Sequence, residues 1–167
     1  NGRKLMRFMP IREGLSLTHY AVSVEHRFQM SPQRVYNLII DMDEHRRILP
    51  RQFESLEVLE GGRGDGTVFR LTMNVMGNRT ALVMTLKELE PGRIVQEQDG
   101  NAGITTTWEL IPESGDRCIL RLTSRFPDKP GFSGWVERLA TSSMIRSIYK
   151  RELENMERYL STGSAAK

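Results

Sequence analysis

Five polar side chains occupy positions where the surrounding pattern predicts burial, and their types are suited to chemistry. They are His26 in a strand, Thr106 and Ser124 in a hairpin, and Ser142 and Arg146 in a long helix. An imidazole exchanges a proton near neutral pH, hydroxyls donate and accept hydrogen bonds, and a guanidinium offers a forked donor to a carboxylate or carbonyl. The alternative is structural: a core hydrogen bond for the first three, and for Arg146 an ion pair or extension to solvent.

The common catalytic and metal-binding patterns are missing from the sequence. The histidines, His19, His26 and His45, stand apart, and the single cysteine, Cys118, has no metal-ligand spacing. A Gly-x-Ser-x-Gly nucleophile motif is also missing. We therefore predict no metal, no cofactor and no catalytic residue, and we expect a binding protein rather than an enzyme.

Composition and charge predict a globular cytoplasmic domain. The chain has 167 residues, 38% hydrophobic and 27% charged, with a net charge of +3, and can bury one substantial core. Its apolar runs are too short to span a bilayer, and no signal-peptide pattern opens it. A lone cysteine excludes an internal disulfide and fits a reducing compartment. The arginines are spread without an aromatic cluster, so we expect no nucleic-acid partner, while the oligomeric state is not predicted.

Local patterns predict one strand, two short helices, six further strands and a long helix. Residues 20–28 alternate between inward and outward positions, as a half-buried strand does. Ser31 followed by Pro32 starts a helix, and Asp41 can cap a second short helix that ends before Pro50. The segment 93–99 is predicted to be a strand, but its alternation is too poor to assign its faces.

Two hairpins define an inward face. A two-residue turn at Gly77 and Asn78 pairs Met73 with Leu82, Leu71 with Met84 and Phe69 with Leu86. In the second hairpin, one extra residue in a glycine-containing turn improves the register. It pairs Leu110 with Leu120, Trp108 with Leu122, Thr106 with Ser124, and Glu109 with Arg121.

The last segment predicts a helix from Gly134 to Leu160, roughly 40 Å long at 1.5 Å per residue. Its predicted core stripe has alternating spacings of four and three residues. The stripe consists of Trp135, Leu139, Ser142, Arg146, Tyr149, Leu153, Met156 and Leu160.

These elements predict an α+β fold in which a strongly curved, seven-stranded antiparallel sheet wraps around the long C-terminal helix. Two short helices follow the first strand. We expect a single domain over residues 19–160, an N-terminal extension over 1–18 and a flexible tail over 161–167.

Several segments, in this order and spacing, resemble one protein family: Met30–Asp41, Arg47–Pro50, Gly64–Thr67, Leu89–Arg93 and Thr107–Pro112. From about His19 to Leu160 the chain resembles the START-like (Bet v 1-like, SRPBCC) superfamily, and within it the polyketide cyclase/dehydrase and lipid-transport branch. The resemblance implies a helix-grip fold with a cavity for hydrophobic or amphipathic ligands between sheet and helix.

From the inward phases and this resemblance we predict a ligand-binding site. Its residues are His26, Phe69, Leu71, Met73, Met84, Thr106, Trp108, Leu122, Ser124, Ser142, Arg146 and Tyr149. The predicted function is binding or transport of a hydrophobic small molecule such as a lipid, quinone or polyketide-like compound. The alternatives are a polyketide aromatase/cyclase or dehydratase-type enzyme, and a protein- or RNA-binding module with a filled core.

Overall fold

The computed structural model describes residues 19–75, 77–128 and 131–163, without the side chains of 131–140. The elements in chain order are β1 (His19–Phe28), α1 (Pro32–Ile40), α2 (Met42–His45), β2 (Phe53–Glu60), β3 (Val68–Val75), β4 (Asn78–Glu90), β5 (Ile94–Asp99), β6 (Thr105–Glu113), β7 (Arg117–Pro127) and α3 (Gly131–Gly163). The predicted extension over 1–18 lies outside the described residues, and α3 continues into the predicted tail. No helix in the described ranges is long and apolar enough to cross a membrane.

The seven strands form one antiparallel sheet in the order β1-β7-β6-β5-β4-β3-β2. The first and last strands therefore pair, while the remaining strands follow one another as a meander. The inner face of the sheet packs against α3 and the two short helices, and this layer holds the core. The predicted α+β helix-grip class, with a curved antiparallel sheet around a long C-terminal helix, is confirmed.

The β6–β7 hairpin has the predicted bulged register. Leu110 pairs with Leu120 and Trp108 with Leu122, so all four side chains lie on the inner face. The loop of three residues closes with Gly115 at φ 73° and Asp116 at φ 54°. Glycine adopts this left-handed conformation without strain and aspartate tolerates it, which favours a three-residue loop at this sequence.

The β3–β4 hairpin differs from its predicted register by two residues. Val75 pairs with Asn78, so that Phe69 lies opposite Met84 and Leu71 opposite Leu82. The turn therefore lies one residue earlier than predicted, and Gly77 has a φ of 84° within it. Because side chains alternate with a period of two, this displacement leaves the predicted inward face unchanged.

The predicted buried face of α3 holds at Ser142, Tyr149, Leu153 and Met156, which are all buried, but the inward position predicted for Arg146 is wrong. Ile145, Ile148 and Glu152 are buried along with Tyr149, whereas Arg146 is exposed. At 100° per residue, Arg146 lies about 60° around the helix axis from Tyr149, on the opposite side from Ile145, Ile148 and Glu152. The predicted stripe members Trp135 and Leu139 lie outside the described side chains.

The start of α2 depends on Asp41, whose carboxylate accepts hydrogen bonds from the backbone N–H groups of Asp43 and Glu44. Its other oxygen contacts the Arg63 guanidinium at 2.5 Å. We expect Asp41→Ala to lower the free energy of unfolding by about 1 kcal/mol, the usual contribution of a helix cap. Asp41→Asn keeps the cap but loses the exposed ion pair and should change stability less. Urea unfolding measures both, and equal losses would contradict the cap as the main contribution.

Candidate functional site

A small enclosed space lies between the inner face of the sheet, α2 and α3. Its volume is about 90 Å³, well below the roughly 300–1,000 Å³ typical of small-molecule pockets. Most of the lining is apolar, and the ionisable side chains are confined to a few residues. The lining residues are His45, Leu49, Phe53, Leu56, Phe69, Leu71, Met73, Leu82, Met84, Glu97, Ile104, Thr106, Trp108, Phe126, Ile145, Ile148, Tyr149 and Glu152.

Seven of the twelve predicted ligand-site residues border this space: Phe69, Leu71, Met73, Met84, Thr106, Trp108 and Tyr149. Leu122, Ser124 and Ser142 are buried but do not line it. The other two predicted residues, His26 and Arg146, also lie outside the lining. The expectation of a space of several hundred Å³ is not met by this space alone, so ligand binding by these residues stays a prediction.

His26 is paired outside the enclosed space. Its Nε2 atom lies 2.7 Å from a carboxylate oxygen of Glu157 on α3, and both side chains are partly exposed. The ring also packs edge-on against Phe28. The alternative given above for His26 was a structural hydrogen bond, and the pairing with Glu157 agrees with it. His26 therefore lies apart from the other polar groups.

A polar row crosses the inner face of the sheet and consists of Ser124, Thr106 and Glu97. Ser124 pairs with Thr106 across β7 and β6, and Thr106 pairs with Glu97 across β6 and β5. The hydroxyls of Ser124 and Thr106 lie 2.7 Å apart, and the phenol of Tyr149 lies 2.5 Å from Ser124. Burial raises the pKa of the Tyr149 phenol, so it is neutral at physiological pH. The three hydroxyl groups therefore satisfy one another at the wall of the space.

His45 and Glu152 form a buried ion pair that the sequence reasoning missed. The Nδ1 atom of His45 lies 3.1 Å from the backbone carbonyl of Ile39, and since a carbonyl only accepts, Nδ1 carries a proton and donates it. The Nε2 atom then faces Glu152 at 3.4 Å. Burial by itself lowers the pKa of His45, but the Glu152 hydrogen bond and the Glu97 charge outweigh it, so the pKa is raised. Because the pKa lies above its usual value of 6.5, the imidazole is protonated at pH 6.

Glu97 completes the cluster of ionisable groups, which we call the His45–Glu97–Glu152 cluster. Burial raises the pKa of Glu97 to about 7, His45 lowers it, Glu152 raises it and the Trp108 indole lowers it. Trp108 lies diagonally from Glu97, because its direct partner on β5 is Val95. The ring of His45 also packs edge-on against Trp108, with centroids 5.3 Å apart.

One feature of the sequence pointed to this cluster. Charged residues occur at positions of β5 and α3 that face inward. Val95, Glu97 and Asp99 are the buried residues of β5, which explains why its alternation was unreadable from hydrophobicity. Asp99 is satisfied by the backbone N–H groups of Val83 and Asn101. Glu152 lies three residues after Tyr149, on the same face of α3.

The cluster can bind polar groups and exchange protons, but its geometry does not suggest a metal. Across the described residues, no group of three His, Cys, Asp or Glu side chains is arranged to hold a metal ion. It combines a buried imidazole whose pKa is raised, a carboxyl group with a pKa of about 7 and an apolar enclosure. Such perturbed groups inside a pocket are typical of functional sites, although structural ion pairs produce them too.

The fold and the site together define a helix-grip protein with ionisable groups at one side of an apolar interior. A family model described as "Polyketide cyclase / dehydrase and lipid transport" matches residues 19–161. The chain belongs to this family, and the resemblance stated from the sequence is confirmed. No curated protein matches the chain in sequence.

Solved structures share the fold at low sequence identity. KanY is 22% identical with a TM-score of 0.76, and the match covers 86% of this chain and 99% of KanY. TTHA0849 from Thermus thermophilus is 21% identical with a TM-score of 0.74, covering 87% and 99%. Norcoclaurine synthase from Thalictrum flavum, in complex with dopamine and hydroxybenzaldehyde, is 17% identical with a TM-score of 0.69, covering 97% and 98%. At these identities the likeness shows the fold alone.

Proposed function

We propose that this protein binds a small hydrophobic molecule whose polar end lies against the His45–Glu97–Glu152 cluster. The observation that carries the proposal is the arrangement of the lining: apolar side chains of the sheet and α3 surround the space, and the ionisable groups meet within it. Ligand sites in proteins commonly combine an apolar wall with a few convergent polar groups. The family to which the chain belongs includes lipid transport in its description, which agrees with such a ligand.

A larger cleft offers the additional volume that a ligand would need. It measures about 930 Å³ and is lined, among the described residues, by parts of β2 and the loop before it, β3, β4 and α3. Met73 lines both this cleft and the enclosed space. Methionine is unbranched and changes rotamer readily, so a shift of Met73 would join the two volumes. A ligand longer than the enclosed space would extend past Met73 into the cleft.

The first experiment is native mass spectrometry of the freshly purified full chain, followed by organic extraction and identification of any bound molecule. The proposal expects a non-covalent adduct of a predominantly apolar compound that is lost on denaturation. A chain that carries no adduct and binds no apolar probe would contradict the proposal and favour a module with a filled core. Norcoclaurine synthase, which has the same fold, holds dopamine and hydroxybenzaldehyde, so small aromatic compounds belong in the probe set.

Filling the enclosed space should remove binding without unfolding the protein. Leu82 lines the space from β4, while its neighbour Val83 is on the opposite face and is 37% exposed. We expect Leu82→Phe to abolish the co-purified adduct and to change the free energy of unfolding by only about 1 kcal/mol, since the added ring enters existing space. The matched control Val83→Phe adds the same group outside and should keep the adduct. Retention of the adduct by Leu82→Phe would place the ligand elsewhere.

A second candidate function, proton transfer to or from the bound molecule, is favoured by one specific observation. Glu97 has a pKa of about 7, and the charge of His45, whose own pKa is raised, acts on it, so both groups can exchange protons close to neutral pH. A general acid or base works best when its pKa is close to the working pH. The hydroxyls of Thr106, Ser124 and Tyr149 are less suited, because each is already hydrogen-bonded within the row.

Deuterium incorporation separates the two functions. The extracted ligand is incubated with the protein in deuterium oxide, and its carbon-bound hydrogens are examined by mass spectrometry and NMR. Catalysis predicts time-dependent uptake of deuterium that Glu97→Gln abolishes, whereas a carrier predicts no uptake with either protein. The cytoplasmic location and the lack of a nucleic-acid partner stay predictions from composition.

A further inference from the structure

In the part of the chain that the structure describes, two buried polar atoms lack hydrogen-bond partners, and one of them belongs to the site. Among the described residues, the buried side-chain atoms without a hydrogen bond are Gln52 Oε1 and Trp108 Nε1. Trp108 is 2% exposed, and its indole N–H is near enough to Glu97 to lower the pKa of that carboxyl. The N–H nevertheless reaches no acceptor at normal hydrogen-bond geometry. An unpaired buried donor costs free energy, so we expect a bound group to accept a hydrogen bond from the indole N–H.

The other donors around the space are already engaged. His45 directs Nδ1 to the carbonyl of Ile39 and Nε2 to Glu152. The hydroxyls of Thr106, Ser124 and Tyr149 form their own chain. The charge of His45 and the indole N–H of Trp108 both lower the pKa of Glu97, but among the buried side-chain donors of the described residues only the indole N–H is left without a hydrogen bond. The site therefore presents one free donor, the indole N–H, beside one carboxylate with accepting capacity left.

We propose that the bound molecule carries a hydroxyl group, phenolic or alcoholic, whose oxygen accepts from Trp108 Nε1 and whose O–H donates to Glu97. This inference rests on the proposed function and names the class of its ligand. A hydroxyl offers one donor and two acceptor lone pairs, which matches one free N–H and one carboxylate. The remainder of the ligand is apolar, because the surrounding wall is built from aliphatic and aromatic side chains.

Other polar ends match the two groups less well. An ether oxygen accepts from Trp108 but gives nothing to Glu97, so it leaves an ionised carboxylate without a donor. A carboxylate end would bring a further negative charge beside Glu97 and Glu152, which like-charge repulsion opposes in a buried site. An amine satisfies Glu97 but leaves the indole N–H unpaired.

The test is an NMR titration of the full chain at pH 8 with single-ring probes that differ in one group. The probes are p-cresol, 4-methylanisole, p-toluidine and p-toluate, whose polar ends are a hydroxyl, a methyl ether, an amine and a carboxylate. We expect p-cresol to bind at least about tenfold more tightly than 4-methylanisole, the usual effect of a hydrogen bond to a charged acceptor. Glu97→Leu should abolish this preference, and Trp108→Phe should weaken it several-fold. The control Glu57→Leu, at an exposed position of β2, should leave it unchanged.

The outcomes separate the inference from the function on which it rests. Equal affinities for p-cresol and 4-methylanisole, or tighter binding of p-toluate or p-toluidine, would overturn the hydroxyl inference and leave the ligand-binding proposal standing. A p-cresol preference that survives in Glu97→Leu would overturn it as well. If none of the probes binds and the purified chain carries no adduct, both proposals fail. If the Trp108→Phe variant does not fold, the Glu97→Leu variant alone tests the hydroxyl inference. It is expected to fold, because it replaces a buried charge with an apolar group.

Discussion

Replacing His45 with phenylalanine is expected to lower the free energy of unfolding by roughly 3–5 kcal/mol at pH 6, the range for breaking a buried ion pair. The side chains of His45 and Glu152 are 4% and 3% exposed, so solvent cannot replace the lost partner. The raised pKa of His45 means that its contribution is fully present below its usual value of 6.5 and is lost as the pH rises through the folded value. Phenylalanine keeps a ring beside Trp108 but leaves Glu152 and the carbonyl of Ile39 without a donor.

Urea unfolding of the variant and two controls checks this result. The double variant with Glu152→Leu removes both charges and should recover much of the loss, because an apolar pair in place of a buried ion pair is often neutral. Arg70→Ala breaks the exposed pair with Glu57 and should change stability by less than about 1 kcal/mol. A His45→Phe variant within about 1 kcal/mol of the parent at pH 6, the size of an ordinary substitution effect, would rule out the ion pair as a major stabilising contact.

Glu97→Gln is expected to flatten the dependence of stability on pH. Burial raises the pKa of Glu97 from 4.5 to about 7, so its contribution is fully present below pH 4.5 and is lost as the pH rises through about 7. The parent protein should therefore lose roughly 3 kcal/mol across this window, at 1.36 kcal/mol per pKa unit. Glutamine cannot ionise, so the variant should match the parent near pH 4.5 and exceed its stability at pH 8 by roughly 2–3 kcal/mol.

Unfolding curves at half-unit intervals between pH 4.5 and pH 8 measure this difference. The variant also removes the negative charge that helps to raise the pKa of His45, which reduces the gain at high pH. The exposed control Glu57→Gln should follow the parent curve, because solvent screens its ion pair. Parallel curves for parent and Glu97→Gln would show that the carboxyl at position 97 does not titrate in this window.

The Glu97 prediction implies that this carboxyl lowers the stability of the fold at neutral and higher pH. A protein selected for stability alone would gain by replacing the ionisable residues of its interior with apolar ones. Retaining an ionisable carboxyl of pKa about 7 beside an unpaired indole N–H is a destabilising arrangement. A ligand that satisfies those groups would stabilise the folded chain on binding, which is the behaviour that the titrations above measure.

The fold could be predicted from the sequence because its strongest signals are local. The β6–β7 register followed from the positions of Leu110, Trp108 and Glu109 against their partners and from a loop containing Gly115. The start of α1 followed from the proline at Pro32, although the Ser31 side chain makes no capping hydrogen bond, and the start of α2 followed from the cap at Asp41. Even the two-residue error in the β3–β4 register left Phe69 and Leu71 on the correct face, since only odd displacements exchange the faces of a strand.

The composition of the candidate site could be predicted only in part. Its apolar wall includes Phe69, Met84 and Trp108, which an alternating pattern marks as inward. The charged members were missed because hydrophobicity is the signal for burial, and Glu97 and Glu152 are buried against that signal. For this reason the inward and outward faces of β5 could not be assigned from the sequence, although every second residue of the strand is buried.

What the sequence by itself determined is the order of the elements, the pairing of the last hairpin and the inward phase of the strands, since these depend on residues near one another in the chain. Tertiary structure alone decided which side of Tyr149 on α3 is buried, because Arg146 and Glu152 lie three residues from it in opposite directions, each about 60° around the helix axis. Glu152 could be the buried one because α2 brings His45 within 3.4 Å of it. A charged side chain is buried in a core only where a partner pairs with it, and a partner from another element cannot be predicted from a local sequence pattern.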